Sequence, residues 1–124
     1  IGPEGAIALA DALKINTSIK ELHLGYNNIG DTGTKALAEA LKTNETLTNL
    51  FVPYNNISPT GASEFEIALQ TNTTLIEIDF EDCPIGDEET GEIGLEEMRI
   101  YDHIRENRKR AEAAGKKPIT SWYH

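Results

Sequence analysis

Glu77, Asp79 and Glu81 alternate along one short stretch, and Asp82 follows them directly. Carboxylates gathered in this way could hold a hard cation such as Ca²⁺, which takes several oxygen ligands at once. Alternating side chains on one strand stand about 7 Å apart and do not converge, so no resident metal is expected. His23 and His103 lie in different parts of the chain, and neither has a Ser or Cys beside it in a nucleophile motif. No catalytic residue is therefore assigned, no cofactor is implied, and the chain reads as a non-enzyme. Cys83 is the only cysteine, which excludes an internal disulfide framework and a four-thiolate metal site. No His or basic residue adjoins it to lower its pKa, so its expected role is structural. A basic run from Arg105 to Lys117 suits the negative end of a helix more simply than it suits an acidic ligand.

Whole-chain composition narrows the function classes further. The 124 residues are enough for one domain with its own core. No apolar run approaches the length of a membrane span, and no charged-then-apolar leader opens the chain. No membrane association is expected, and the lone cysteine points to a reducing, cytoplasmic setting. The formal net charge is −10, which argues against nucleic acid as a partner, because counterion release needs clustered cations. That average hides a split. Residues 1–98 hold 4 basic and 18 acidic residues, whereas residues 99–124 hold 7 basic and 3 acidic. The chain opens on Ile, inside an already patterned segment, and on that ground reads as part of something longer.

The elements that position these groups come from an internal repeat. Ile-Gly occurs at 1–2, 29–30 and 85–86, and Ile-Ser at 57–58 fills the gap, a step of 28 residues. Units 1–28 and 29–56 share Gly5/Gly33, Ala8-Leu9-Ala10 with Ala36-Leu37-Ala38, Ala12-Leu13-Lys14 with Ala40-Leu41-Lys42, Asn16/Asn44, and Tyr26-Asn27-Asn28 with Tyr54-Asn55-Asn56. The first half of each unit carries an apolar stripe at helical spacing, Ala8, Leu9, Ala12 and Leu13 in the first copy. The second half changes period: Ile19-x-x-Leu22-x-Leu24-x-x-Asn27-x-Ile29, then Leu47 to Ile57, then Leu75 to Ile85 with Cys83 in the place of Asn. Leu-x-Leu alternation predicts a short strand with one buried face. Helices are expected near 3–14, 31–42 and 59–70, and parallel strands near 20–24, 48–52 and 76–80.

This pattern resembles the leucine-rich repeat, whose signature is L-x-x-L-x-L-x-x-N/C-x-L. The step of 28 with an Ala-rich helix is similar to the ribonuclease-inhibitor-like class, which also includes Ran GTPase-activating protein, nucleotide-binding immune receptors and, more divergently, the tropomodulin tail. The resemblance implies an α/β solenoid, a right-handed βα superhelix with a parallel concave sheet and convex helices. A unit with one apolar strand face and one apolar helix stripe cannot bury both alone, so stacking must supply the core. Three repeats, 1–28, 29–56 and 57–84, followed by a C-terminal cap helix and basic tail over 85–124, make one domain. The last helix is expected near 94–114. It lies seven residues late, since Asn107 follows Asn72 by 35 rather than 28, with the surplus falling in an acidic stretch from Asp87 to Ile93. Glu64 and Glu66 replace Ala in the third helix, the first at the edge of the stripe and the second off it.

With Leu22 and Leu24 buried, Glu21, His23 and Gly25 face the concave side. The same columns bring Asn49, Phe51 and Pro53, then Glu77, Asp79 and Glu81, with Tyr26, Tyr54 and Asp82 at the strand ends. These twelve residues contain no Lys or Arg and form the expected binding face. Phe51 beside two Tyr reads as an exposed interface anchor, and the acidic columns suit a basic protein partner. The alternative is a regulatory or sensor region of a larger protein, as the resemblance to GTPase-activating proteins and immune receptors would allow. Asn27, Asn55 and Cys83 are expected to satisfy backbone groups at the turn after each strand. Asn16, Asn44 and Asn72 match glycosylation sequons but are expected to end the helices in a left-handed conformation. No cap precedes the first unit, so its apolar side is expected to favour self-association. Ile119, Trp122 and Tyr123 either pack back on the cap or form a docking motif.

Overall fold

Pro is free to occupy the first turn of a helix, where its missing N–H would be unpaired anyway, and it stands there twice, in α1 (Gly2–Leu13) and in α3 (Pro59–Leu69). Ser58 caps α3 by accepting a hydrogen bond from the Thr60 N–H at 3.2 Å. Between these helices lie β1 (Glu21–His23), α2 (Gly30–Leu41) and β2 (Asn49–Phe51), and after them β3 (Glu77–Asp79) and α4 (Leu95–Ala113). The computed structural model describes residues 1–81, 83 and 94–115.

The three strands form one parallel sheet in the order β1-β2-β3. Glu21 stands opposite Asn49, and Asn49 opposite Glu77, so the spatial step equals the 28-residue sequence step. Each helix packs on the next in chain order. The core lies between the layers. Leu24, Leu50, Val52, Ile78 and Phe80 come from the strand segments, Leu13, Leu37, Leu41, Phe65 and Leu69 from α1 to α3, and Ile100 and Ile104 from α4. Phe65 and Phe80 meet as tilted rings, 5.5 Å between centroids. The architecture is an α/β solenoid in which neither layer could bury its apolar face without the next unit.

The helices and strands fall within about two residues of the expected ranges, while three details differ. The buried face of α1 is Ala6, Ala10 and Leu13, with Ala8 and Ala12 exposed. Their equivalents Ala36 and Ala40 in α2 are half-buried and buried, because α2 has a helix on either side and α1 on one only. Glu66 therefore occupies a column that is buried in the first two units, at Ala10 and Ala38, and both it and Glu64 remain half-exposed between α3 and solvent.

The third difference concerns Asn16, Asn44 and Asn72. None of them adopts a positive φ. Each instead accepts backbone N–H groups two and three residues ahead, as Asn44 Oδ1 does from Thr46 at 3.0 Å and Leu47 at 2.8 Å. In the second and third units the amide nitrogen of the same residue reaches back to the preceding unit. Asn44 donates to the Leu13 and Asn16 carbonyls at 2.8 and 3.2 Å, and Asn72 to those of Leu41 and Asn44 at 2.7 and 3.1 Å. Asn107 in α4 continues the ladder by donating to Asn72 and Leu75. The helix-end asparagines are thus rungs between units, and an extended side-chain network has replaced the expected local cap.

Candidate protein-binding face

Beyond each strand the chain turns sharply, and a buried side chain ties the turn down. Asn55 accepts from the Asn27 and Ile29 N–H groups at 2.9 and 3.2 Å and donates to the Leu24 and Pro53 carbonyls. Asn27 donates to the Gly25 carbonyl at 3.0 Å and accepts from the amino group of Ile1 at 2.8 Å. Cys83 stands at the third such position, its Sγ 3.4 Å from the Val52 carbonyl, and burial pushes its thiol pKa up.

This turn forces left-handed backbone at Tyr26 (φ 59°) and Asn28 (φ 50°), and again at Tyr54 (φ 56°) and Asn56 (φ 54°). A Tyr in that region carries backbone strain. The strained conformation sets Tyr26 and Tyr54 parallel, 4.3 Å between ring centroids and 11° between planes, with 75% and 39% of each residue exposed. One register row back, His23 and Phe51 stack in the same manner, at 4.3 Å and 14°. His23 Nε2 also lies 2.8 Å from Glu21 Oε1. A Cβ at Gly25 would stand 3.2 Å from Pro53 Cγ, so the chain between the two stacked pairs is itself closely fitted.

The expected face is only partly open. Glu21, His23, Tyr26, Tyr54 and Glu81 are exposed and Asp79 is half-buried. Phe51, expected as an exposed anchor, is 7% exposed because the His23 ring covers it. Asn49 is 1% exposed and Glu77 4%. Nor are the acidic columns without a cation. Arg108, from α4, donates through Nε to the Ile76 carbonyl at 2.7 Å and holds an N–H₂ group 3.6 Å from Glu77 Oε2. It lies far along the chain from both and follows directly on Asn107, the one cue by which it could have been found. Asp82, the acidic stretch 87–93 and Ile119, Trp122 and Tyr123 lie outside the described residues. Among the described residues no three His, Cys, Asp or Glu side chains gather as a metal site, and no helix is long and apolar enough to cross a membrane.

The family described as "Leucine Rich repeat" matches over residues 16–38 and 71–88. Among solved structures, the chain is similar to "Leiomodin-1 Actin-Binding Site 2 (ABS2)", with 22% identity, a TM-score of 0.73, and coverage of 93% of this chain and 79% of that one. It is also similar to the tropomodulin C-terminal domain from Caenorhabditis elegans, with 16% identity, a TM-score of 0.54, and coverage of 93% and 82%. A search of curated proteins finds no match. Repeat pattern, sheet and structural likeness agree on the fold, the α/β solenoid of leucine-rich repeats.

Proposed function

We propose that this chain is a non-enzymatic protein-binding module that uses the concave sheet face and the turns at its end. The observation that carries the reading is the stacked, strained and exposed pair Tyr26–Tyr54. Large rigid aromatics held out of the core at a cost in backbone energy are what interface anchors consist of. Glu21, Asp79 and Glu81 lie along the same face, so the preferred partner is a basic protein surface, attracted over distance and selected by charge. We assign partner-binding roles to Tyr26, Tyr54, Glu21, His23, Asp79 and Glu81, and floor positions to Asn49, Phe51 and Glu77. The constant 28-residue step supports the ribonuclease-inhibitor-like class, and residues 1–124 act as one domain. A single cysteine held as a thiol suits a cytoplasmic setting.

Because one structural neighbour is named as an actin-binding site, actin is the first ligand to try. Cosedimentation with actin filaments, at two ionic strengths, tests the proposal on the wild type and on Tyr26→Ala with Tyr54→Ala. Binding that the double variant weakens by about 2 kcal/mol or more supports the reading. Binding to actin or to any later ligand that ignores both tyrosines and the acidic columns would place the interface elsewhere, on the convex helices or the basic end of α4.

A further inference from the structure

Tyr26 and Tyr54 are the same residue of successive units, and their backbones are fastened from both flanks. The Tyr26 N–H donates to the Pro53 carbonyl at 3.1 Å and the Tyr54 N–H to that of Glu81 at 2.9 Å, so each is tied to the next unit. Two residues further on, Asn56 Nδ2 donates to Asn28 Oδ1 at 2.7 Å and bridges the same two turns. Just before the tyrosines, Gly25 fits closely against Pro53. The two rings therefore stay together as long as the units stay stacked.

What the rings share is a phenol. A phenol that gives one electron to an oxidant and its hydroxyl proton to water becomes a radical whose spin spreads onto the ring carbons ortho to the oxygen. A lone exposed tyrosine radical must wait for a second molecule, whereas here a second phenol lies in contact, 4.3 Å between centroids, and coupling becomes intramolecular. An oxidant can reach both, since Tyr26 is 75% exposed and Tyr54 39%. The other groups nearby do not offer this chemistry. His23 and Phe51 stack at the same distance without a phenol, Tyr101 stands half-buried on α4 with its hydroxyl on Glu97, and burial keeps the Cys83 thiol protonated, its less oxidisable form.

We propose that Tyr26 and Tyr54 are an oxidative cross-linking site, at which a one-electron oxidant such as a haem peroxidase fed with hydrogen peroxide joins the two rings as dityrosine. Each ring loses one electron to the oxidant and its phenolic proton to water. The two radicals then pair to form one carbon–carbon bond between positions ortho to the hydroxyls, and the hydrogen on each of those carbons moves to the phenol oxygen. The two electrons and two protons turn one peroxide into two waters, so the step balances. The rings must tilt from face-to-face towards edge-to-edge, and their exposure leaves room for that. The bond ties the first two units together through residues 28 apart, a lock on the turns that only the oxidised chain carries. The site stands whether or not the tyrosines also anchor a partner.

The experiment irradiates the dilute 124-residue chain with tris(bipyridine)ruthenium(II) and persulfate, a one-electron photo-oxidant that acts in buffer and in urea alike. Dityrosine fluorescence and tryptic mass mapping are the readouts. Expected is a single-chain product two hydrogens lighter, with peptide 21–35 joined to peptide 43–99. It should form roughly tenfold more in the folded chain than in urea. It should also melt at a higher temperature, because the link closes a loop in the unfolded chain. Tyr26→Phe keeps a ring in the stack and should lose both the fluorescence and the link. Equal yields in buffer and urea overturn the site, as does a product that survives Tyr26→Phe or a link that runs to Tyr101 or Tyr123 instead. No product while free tyrosine in the same mixture dimerises overturns it as well. A linked chain that melts lower does so too, since the rings would then couple only when the turns come apart.

Discussion

Asn55 makes four hydrogen bonds with one side chain and closes the turn that sets both tyrosines. Removing it strands the buried Ile29 N–H and the Leu24 carbonyl at once. Asn55→Ala should therefore lower stability by about 2–4 kcal/mol, which urea denaturation would measure. The signature allowed Cys at the third turn, and the thiol there makes a weaker bond to Val52. Its raised pKa gives a second prediction. The folded state holds the Cys83 proton more tightly than the unfolded chain does, so stability contributed by the neutral thiol is present below the ordinary thiol pKa and is lost as pH rises through that value towards the folded one. Cys83 should accordingly react slowly with a disulfide reagent near neutral pH and faster once urea opens the fold. A fast, urea-independent reaction would contradict both parts. The 28-residue spacing marked the turn residues, yet it pointed to the wrong conformation for Asn16, Asn44 and Asn72. Spacing shows that a residue recurs; whether its side chain caps its own helix or bridges to the unit before depends on atoms 28 and 31 positions away.

At the scale of elements, the helices approach each other through small residues. A Cβ at Gly33, near the start of α2, would stand 2.9 Å from Ala6 Cβ and 2.3 Å from Ile29 Cγ2. Ile29 is β-branched and fully buried, and the Ala6 methyl cannot move without α1, so neither neighbour gives way easily. Gly33→Ala should cost about 1–3 kcal/mol, even though Ala is the better helix former, and a thermal melt that rises instead would show that α1 yields freely. Gly61 is limited differently: Asp31 from α2 occupies the space, accepting from the Ser58 N–H at 2.9 Å and from its hydroxyl. α4 packs on α3, and its Arg108 serves both as a partner for a strand-edge carbonyl and as a cation for the buried Glu77. Arg108→Met should destabilise by about 2 kcal/mol, and Glu77→Gln should recover part of that loss in a double-mutant cycle. Additive losses would mean that the two side chains act separately. The late position of α4 was legible, since Asn107 lies 35 residues after Asn72. Its side-chain traffic onto the sheet was not, because a helix pattern shows which face is apolar and not how far a long polar side chain reaches past it.

Across the 124 residues the outermost helices, α1 and α4, are unlike. α4 lays Ile100 and Ile104 against the third unit and carries a charged outer face, whereas α1 has a helix on one side only. Ile7, Ile15 and Ile19 are exposed there, Ile15 to 84%, together with Ala8 and Ala12. In α2 the alanines at the same columns are covered by a neighbouring helix, so this surface has the shape that receives another apolar helix. Exposed apolar surface favours association, and the net charge of −10 opposes it. The opposition is screened by salt while the apolar attraction is not. Sedimentation velocity of the 124-residue chain should therefore show a monomer at low concentration and low salt, with larger species growing as protein or salt is raised. Ile7→Lys combined with Ile15→Lys should abolish the growth, while Tyr26→Ala should leave it unchanged because the tyrosines project from the strand-side turns. Association that persists in the double lysine variant and disappears with Tyr26→Ala would move self-contact to the concave side, where it would compete directly with the proposed partner.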